Sequence, residues 1–315
     1  PYRGYDEAAV LVDIRPGTST REIGRRLATV GVVSDERTFR IALWRTGRAR
    51  GLQAGEYRFV DAISAMSVVD ILARGRVYLR PVTFPEGLTR GEMARRFGQS
   101  GFGSAEAFLT ASERVELVAS LDPEAQNLEG YLFPETYSLP QGATADDLVE
   151  AMVAQFERTF NGSLQERARE RGLSVREVVT FASLIQKETG LDEERPIVSA
   201  VYSNRLRRQM LLQCDPTVIY GLQLEGLYDG NLTRDNLRFD SPYNTYVYPG
   251  LPPGPIAAPG AADLKAALEP ADVSYLYFVS RNDGSHVFAD TLREHNRNVR
   301  EYQVEYFRRR RATTR

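Results

Sequence analysis

Ser174-Val175-Arg176-Glu177-Val178-Val179-Thr180-Phe181-Ala182-Ser183-Leu184-Ile185-Gln186-Lys187-Glu188-Thr189 is the stretch from which the rest of the chain can be read. It predicts one amphipathic helix. Ser174 is a capping residue and Glu177 follows three positions later, the spacing of a capping box. Val178, Phe181, Ile185 and Glu188 recur at helical spacing and so share one face. That apolar face points inward and ends in a carboxylate. Removing a carboxylate from water disfavours its charged form and raises its pKa, which suits a general acid at neutral pH. A Glu that reaches solvent or pairs with an arginine satisfies the same pattern, and from this helix alone that plainer role stays open.

The chain's 315 residues are enough for two domains. A formal net charge of -2 argues against electrostatic binding of nucleic acid. Cys214 is the single cysteine, so no intramolecular disulfide forms. With that one Cys and two histidines, His286 and His295, no zinc site of the usual kind is expected. Neither a metal nor another cofactor is called for. No apolar run reaches transmembrane length. The chain opens Pro1-Tyr2-Arg3 without an initiator Met, so the lack of an anchor carries no information about location.

An internal repeat marks the first hundred residues. Gly17, Glu22, Arg25, Arg26, Gly31 and Ser34 recur in order and spacing as Gly87, Glu92, Arg95, Arg96, Gly101 and Ser104. Each copy follows a strand-like run, 9–14 and 78–84, and enters a helix through Thr18–Thr20 or Thr89. A second helix at 34–45, a strand at 55–60 and a helix at 64–74 lie between them. The first copy therefore reads as strand-helix-helix-strand, followed by a partial second copy.

Beyond Gly103 the pattern predicts a helix over 105–121 and an aromatic segment over 127–139. Helices are then expected at 144–160, 163–171, 174–188 and 192–208. Asp215-Pro216 should open a short helix to Tyr220. Residues 241–260 form a long loop dense in Pro and Gly, and its tyrosines argue for order rather than disorder. A hairpin is expected from 275–279 and 286–289 through Asn282-Asp283-Gly284. A last helix should run over 291–310 and end in an arginine run.

Several polar-aromatic segments occupy the second half: Tyr202-Ser203-Asn204-Arg205, Leu212-Gln213-Cys214-Asp215-Pro216-Thr217, Ser241-Pro242-Tyr243-Asn244-Thr245-Tyr246 and Gly284-Ser285-His286-Val287-Phe288. Tyrosine offers a flat apolar face with a polar tip, and Asn, Gln and Asp offer paired donors and acceptors. Together they suit an extended, hydroxyl-rich ligand such as a glycan. Each residue also has a plainer role: Asp215 as a helix cap, Asn244 in an Asx-turn, His286 as a satisfied hairpin residue.

In combination these segments resemble a known family. Leu-Glu-Gly-Tyr-Leu-Phe-Pro-Glu-Thr-Tyr from Leu128, Ala-Ser-Leu-Ile-Gln-Lys-Glu-Thr from Ala182, Asn204-Arg205-Leu206 and Leu-Gln-Cys-Asp-Pro-Thr-Val-Ile-Tyr-Gly from Leu212 are similar to the endolytic murein transglycosylases, the MltG/YceG-like family. Ser-Pro-Tyr-Asn-Thr-Tyr-Val-Tyr-Pro-Gly-Leu-Pro-Pro-Gly-Pro-Ile from Ser241, Gly-Ser-His-Val-Phe from Gly284 and Glu294-His295-Asn296 extend the match. Two departures are Gln186, where members often carry Glu, and Ala257-Ala258, where Asn is commoner before the proline.

The resemblance implies an α+β fold with a LysM-like module over 1–103 and a mixed, helix-rich α+β catalytic domain over 104–315. It implies cleavage of the MurNAc-β-1,4-GlcNAc bond in nascent peptidoglycan, giving 1,6-anhydro-MurNAc ends and ending strand elongation. Glu188 falls on the family's catalytic position. Glu129, Tyr131, Asn204, Gln213, Asp215, Tyr220, Ser241, Tyr243, Asn244, Tyr246 and His286 form the implied substrate-binding set. The implied partners are glycan strands and peptidoglycan synthases. The implied location is the cell (inner) membrane, through a single N-terminal span absent from this chain, with the catalytic domain outside the cytoplasm. The rival from another class is a non-catalytic peptidoglycan-binding scaffold, which would not need a buried acid at Glu188.

Overall fold

The fold is known from a computed structural model that describes residues 1–308. Contacts divide the chain into two compact units, residues 1–82 with 136–144, and residues 83–135 with 145 onward. The architecture is mixed α and β, with helices dominating and the strands paired two by two.

In the first unit, β1 (Val10–Ile14) pairs antiparallel with β2 (Gly55–Phe59), Val12 opposite Tyr57. Between them run α1 (Thr20–Thr29) and α2 (Glu36–Thr46), and α3 (Ala65–Ala73) follows. Val12, Ile14, Ile23, Leu27, Phe39, Leu43, Tyr57 and Leu72 form one buried cluster. The inward side chains alternate along the strands and recur every three or four residues on the helices, so one core takes both periods. β3 (Leu79–Thr83) pairs with β4 (Thr136–Pro140).

The sequence repeat is also a structural one. α4 (Arg90–Gln99) and α5 (Ala105–Ala111) follow β3 as α1 and α2 follow β1. Ser19 and Thr89 cap α1 and α4 through their side chains. Gly17 and Gly87 adopt φ of +79° and +78°, and Gly31 and Gly101 φ of +74° and +84°, a region that favours glycine. Arg26 donates to the carbonyl of Asp13, and Arg96 donates to that of Thr83, its counterpart in the second copy. The register slips by one residue afterwards: Asp35, not Ser34, caps α2, whereas Ser104 caps α5.

The helix expected over 105–121 stops at Ala111 and leaves only a 3-10 turn at Val115–Leu117. Ser112 ends it, since its hydroxyl donates to the Leu109 carbonyl and its own carbonyl accepts from Leu128 N–H. In the second unit come α6 (Ala145–Thr159), α7 (Gly162–Glu170), α8 (Val175–Glu188), α9 (Arg195–Arg207), α10 (Asp215–Leu224) and α11 (Ala261–Leu268). α8 carries the expected capping box between Ser174 and Glu177, and Val178, Phe181 and Ile185 are buried. α9 and α11 pack on it, joined by an ion pair of 2.7 Å between buried Arg195 and Asp263. Residues 241–260 contain no helix or strand, as expected. The hairpin is present as β5 (Tyr277–Ser280) and β6 (His286–Ala289), and α12 (Leu292–Val299) continues into a π-helical turn, Arg300–Glu305. Positions 309 and 310 of the expected last helix, and most of its arginine run, lie outside the described residues. Among the described residues no helix is long and apolar enough to cross a membrane.

Candidate active site

Glu188 is the last residue of α8 and opens into a cleft of about 300 Å³. Five segments of the second unit meet there. α9 supplies Tyr202 and Arg205, and the turn into α10, with that helix's first residue, supplies Leu212, Gln213 and Asp215. The long loop supplies Tyr246, the hairpin supplies Phe278, Ser280 and His286, and α12 supplies His295.

Glu188 is partly open to the cleft, but its carboxyl is enclosed by protein groups. Burial pushes its pKa above the usual carboxylate range, and the nearby charge of Asp215 adds to this. Tyr202 acts the other way. Its hydroxyl donates to Glu188 Oε1 at 2.5 Å, which favours the ionised form, and a hydrogen bond with the Cys214 side chain works in the same direction. The Tyr202 ring is fully buried between Phe181 and Phe278, so the donor is fixed in place. The upward shift survives both bonds, and Glu188 holds its proton to higher pH than an exposed Glu.

The cleft wall is preorganised. Arg205 Nε donates to the Leu276 carbonyl at 2.6 Å and Nη1 to the Leu212 carbonyl at 2.9 Å, tying hairpin and turn to α9. Gln213 adopts φ of +51°, and its backbone N–H donates to the Thr245 carbonyl. Thr245 Oγ1 accepts from Cys214 N–H at 3.0 Å, so the long loop sets the shape of the turn. The Tyr246 hydroxyl donates to Asp215 Oδ1 at 2.5 Å. Cys214 occupies the cap position of α10, so Asp215 does not cap the helix and its carboxylate faces the cleft.

Glu194 orients His286. Its carboxylate accepts from the His286 backbone N–H and pairs with Nδ1, each at 2.7 Å, and accepts from the Thr189 hydroxyl at 3.1 Å. An ionised Glu194 has no proton to give, so Nδ1 carries the hydrogen and Nε2 is left for a ligand. His295 stacks on Tyr277, and burial lowers its pKa. Among the described residues no group of three or more His, Cys, Asp or Glu could hold a metal ion.

Of the residues singled out in the sequence, Glu188, Gln213, Asp215, Tyr246 and His286 meet in this cleft. The others do not. Asn244 is fully buried, donates to the Leu237 and Phe239 carbonyls and accepts from Tyr246 N–H, so it shapes the loop and has nothing left for a sugar. Asn204 is buried and donates to the carbonyls of Val273 and Tyr275. Tyr131 is buried with its hydroxyl on Asp122 at 2.6 Å. Ser241 is buried and accepts from Tyr243 N–H. Glu129 and Tyr220 line a separate depression, with the Tyr220 hydroxyl donating to Glu129 at 3.1 Å and Tyr243 packed edge-on against Tyr220. Tyr202, Arg205, Glu194, Phe278 and His295 were not in the expected set. A polar-aromatic segment flagged the first two, and only the folded chain distinguishes them from Asn204.

The YceG-like family profile matches residues 12–301. The chain belongs to the YceG-like family. A Bacillus subtilis protein named endolytic murein transglycosylase is 31% identical over 96% of this chain and 87% of its own length. One of the same name from Streptococcus pneumoniae is 30% identical over 96% of this chain, which spans 60% of that longer protein. A crystal structure of a YceG-like protein from Listeria monocytogenes superposes with a TM-score of 0.63 at 29% identity, covering 92% of this chain and 98% of that one.

Proposed function

We propose that this YceG-like chain is an endolytic transglycosylase of peptidoglycan, with Glu188 acting as both acid and base. The observation that carries this reading is the enclosed Glu188 carboxyl, oriented by Tyr202 at 2.5 Å, with burial raising its pKa. The names of its relatives support the same substrate.

In this mechanism the Glu188 carboxyl protonates the glycosidic oxygen as the bond from that oxygen to C1 of MurNAc breaks. Positive charge develops at C1 and the ring oxygen, and the Asp215 carboxylate is the cleft group of opposite charge. Glu188, now ionised, takes the proton from the sugar's own C6 hydroxyl as that oxygen bonds C1. No water is consumed, Glu188 returns to its starting state, and the MurNAc end is a 1,6-anhydro sugar. Two-carboxylate hydrolases use a second group to activate water. Here the internal hydroxyl takes the place of that water. His286 Nε2 and the Gln213 amide would hold sugar hydroxyl or N-acetyl groups.

The first unit's order of β1, α1, α2 and β2 fits a LysM-like module that adds glycan affinity. The same reading sets the cleft outside the cytoplasm at the cell membrane, with glycan strands as ligand and the synthases that extend them as neighbours. The test is mass spectrometry of nascent, uncrosslinked glycan strands after incubation with the pure chain. Anhydro-MurNAc ends from the wild type, and none from a folded Glu188→Gln variant, are expected. Strand binding without any new ends would leave the scaffold reading in its place.

A further inference from the structure

We propose that the outer face of α2 docks on an anionic phospholipid surface. The argument begins with helix geometry. At about 100° per residue, the buried Phe39, Ala42 and Leu43 occupy one side of α2, and Arg37, Ile41 and Trp44 fall opposite them. A surface helix normally presents polar side chains there. This one presents Ile41 at 58% exposure and Trp44 at 81%, the latter being the chain's only tryptophan.

Arginines flank this apolar ridge, with Arg40 on one side and Arg45 on the other. The nearby acids are already shared: Glu36 lies between Arg21 and Arg40, and Asp70 between Arg48 and Arg74. Arg37 and Arg45 have no acidic partner among the described residues. Arg45, Arg48 and Arg76 also rim a shallow depression over Met66 and Ile71, with Asp70 as its one acid. The whole chain has a formal charge of -2, so this positive character is local.

An indole with an aliphatic neighbour, ringed by guanidinium groups, fits the boundary of a bilayer. The rings enter the headgroup region, while the arginines extend to the phosphates. A glycan would use the Trp44 ring alone and leave Ile41, Met66 and the arginines unexplained. A nucleic acid would use the arginines and leave the apolar ridge bare. The lipid surface uses all of them. This inference stands independently of the reaction at Glu188.

The single tryptophan makes the test direct. The full chain is titrated with vesicles of phosphatidylglycerol, with vesicles of phosphatidylcholine, and with soluble uncrosslinked glycan strands. A saturable blue shift of Trp44 emission is expected with phosphatidylglycerol, reversed by high salt and absent with phosphatidylcholine. Sedimentation with the same vesicles should weaken about tenfold or more in Arg37→Glu/Arg45→Glu, which keeps the fluorophore, and in Trp44→Ala, with melting temperatures unchanged. If either variant melts lower, the other still reads the surface. No shift with phosphatidylglycerol, an equal shift with both lipids, or a shift with glycan strands alone would overturn the proposal.

Discussion

Tyr202→Phe isolates one oxygen atom. The ring stays between Phe181 and Phe278, and the 2.5 Å bond to Glu188 Oε1 is lost together with the hydroxyl's contact with the Cys214 side chain. While Glu188 is protonated this is a neutral hydrogen bond, with a net contribution of about 0.5–1.5 kcal/mol. As the proton leaves, the bond becomes charge-assisted and contributes about 1.5–3 kcal/mol. The difference, roughly 1–1.5 kcal/mol, is felt only as charge develops on Glu188, so kcat should fall about 5- to 15-fold with KM little changed. The same loss removes a group that lowers the Glu188 pKa. Activity needs the protonated acid and falls as pH rises through that pKa, so the alkaline limb of the pH profile should move to higher pH in the variant. The assay is steady-state release of glycan fragments by wild type and Tyr202→Phe across a pH series. An unchanged kcat together with an unmoved alkaline limb would refute the role given to Tyr202.

Three further outcomes follow from the geometry. Asn244→Ala breaks two buried donations, to Leu237 and Phe239, and should cost about 2–4 kcal/mol in denaturant melts, with glycan affinity of the folded fraction retained. Glu129 is buried, and its pKa rises from 4.5 to about 7, so its contribution to stability is full below pH 4.5 and is lost as pH rises through 7. That loss is on the order of 3 kcal/mol, and Glu129→Gln should flatten the stability profile between those limits, as read by urea titration at several pH values. Gly87→Ala should destabilise by more than the repeat-related Gly17→Ala: both carry positive φ, but only at Gly87 would the new methyl meet Gln186, with Nε2 at 3.2 Å. Equal melting temperatures for those two variants would contradict that ranking.

The sequence was most legible where structure is local. The capping box of α8, the periodicity of the helices from α6 to α9 and the turn residues of the hairpin act within a few positions of one another. The repeat was legible too, since two short segments must solve the same strand-to-helix turn with the same Gly, Glu and Arg. The strand β4 was missed because its partner β3 lies more than fifty residues away and the intervening aromatic segment masks its alternation. The cleft was half legible. Glu188 is marked by its own helix, but the oxygen that orients it comes from Tyr202 on the next helix, and helix packing alone selects it. Asn204, two residues on, has the same kind of polar signal and faces the carbonyls of Val273 and Tyr275 instead. Asn244 and Asp215 show the converse. Their local turn and cap roles were both readable, and folding assigns the turn to Asn244 while freeing Asp215 for the cleft.

The central claim is that the C6 hydroxyl of the sugar, and not water, attacks C1 once Glu188 has protonated the leaving oxygen. Cleavage of nascent glycan strands in water enriched in heavy oxygen tests it most directly. The new MurNAc ends should carry no label, and the fragment masses should sum to that of the parent strand. Heavy oxygen at C1 of those ends, with one water added per cut, would make Asp215 and Glu188 a hydrolytic pair and contradict the account.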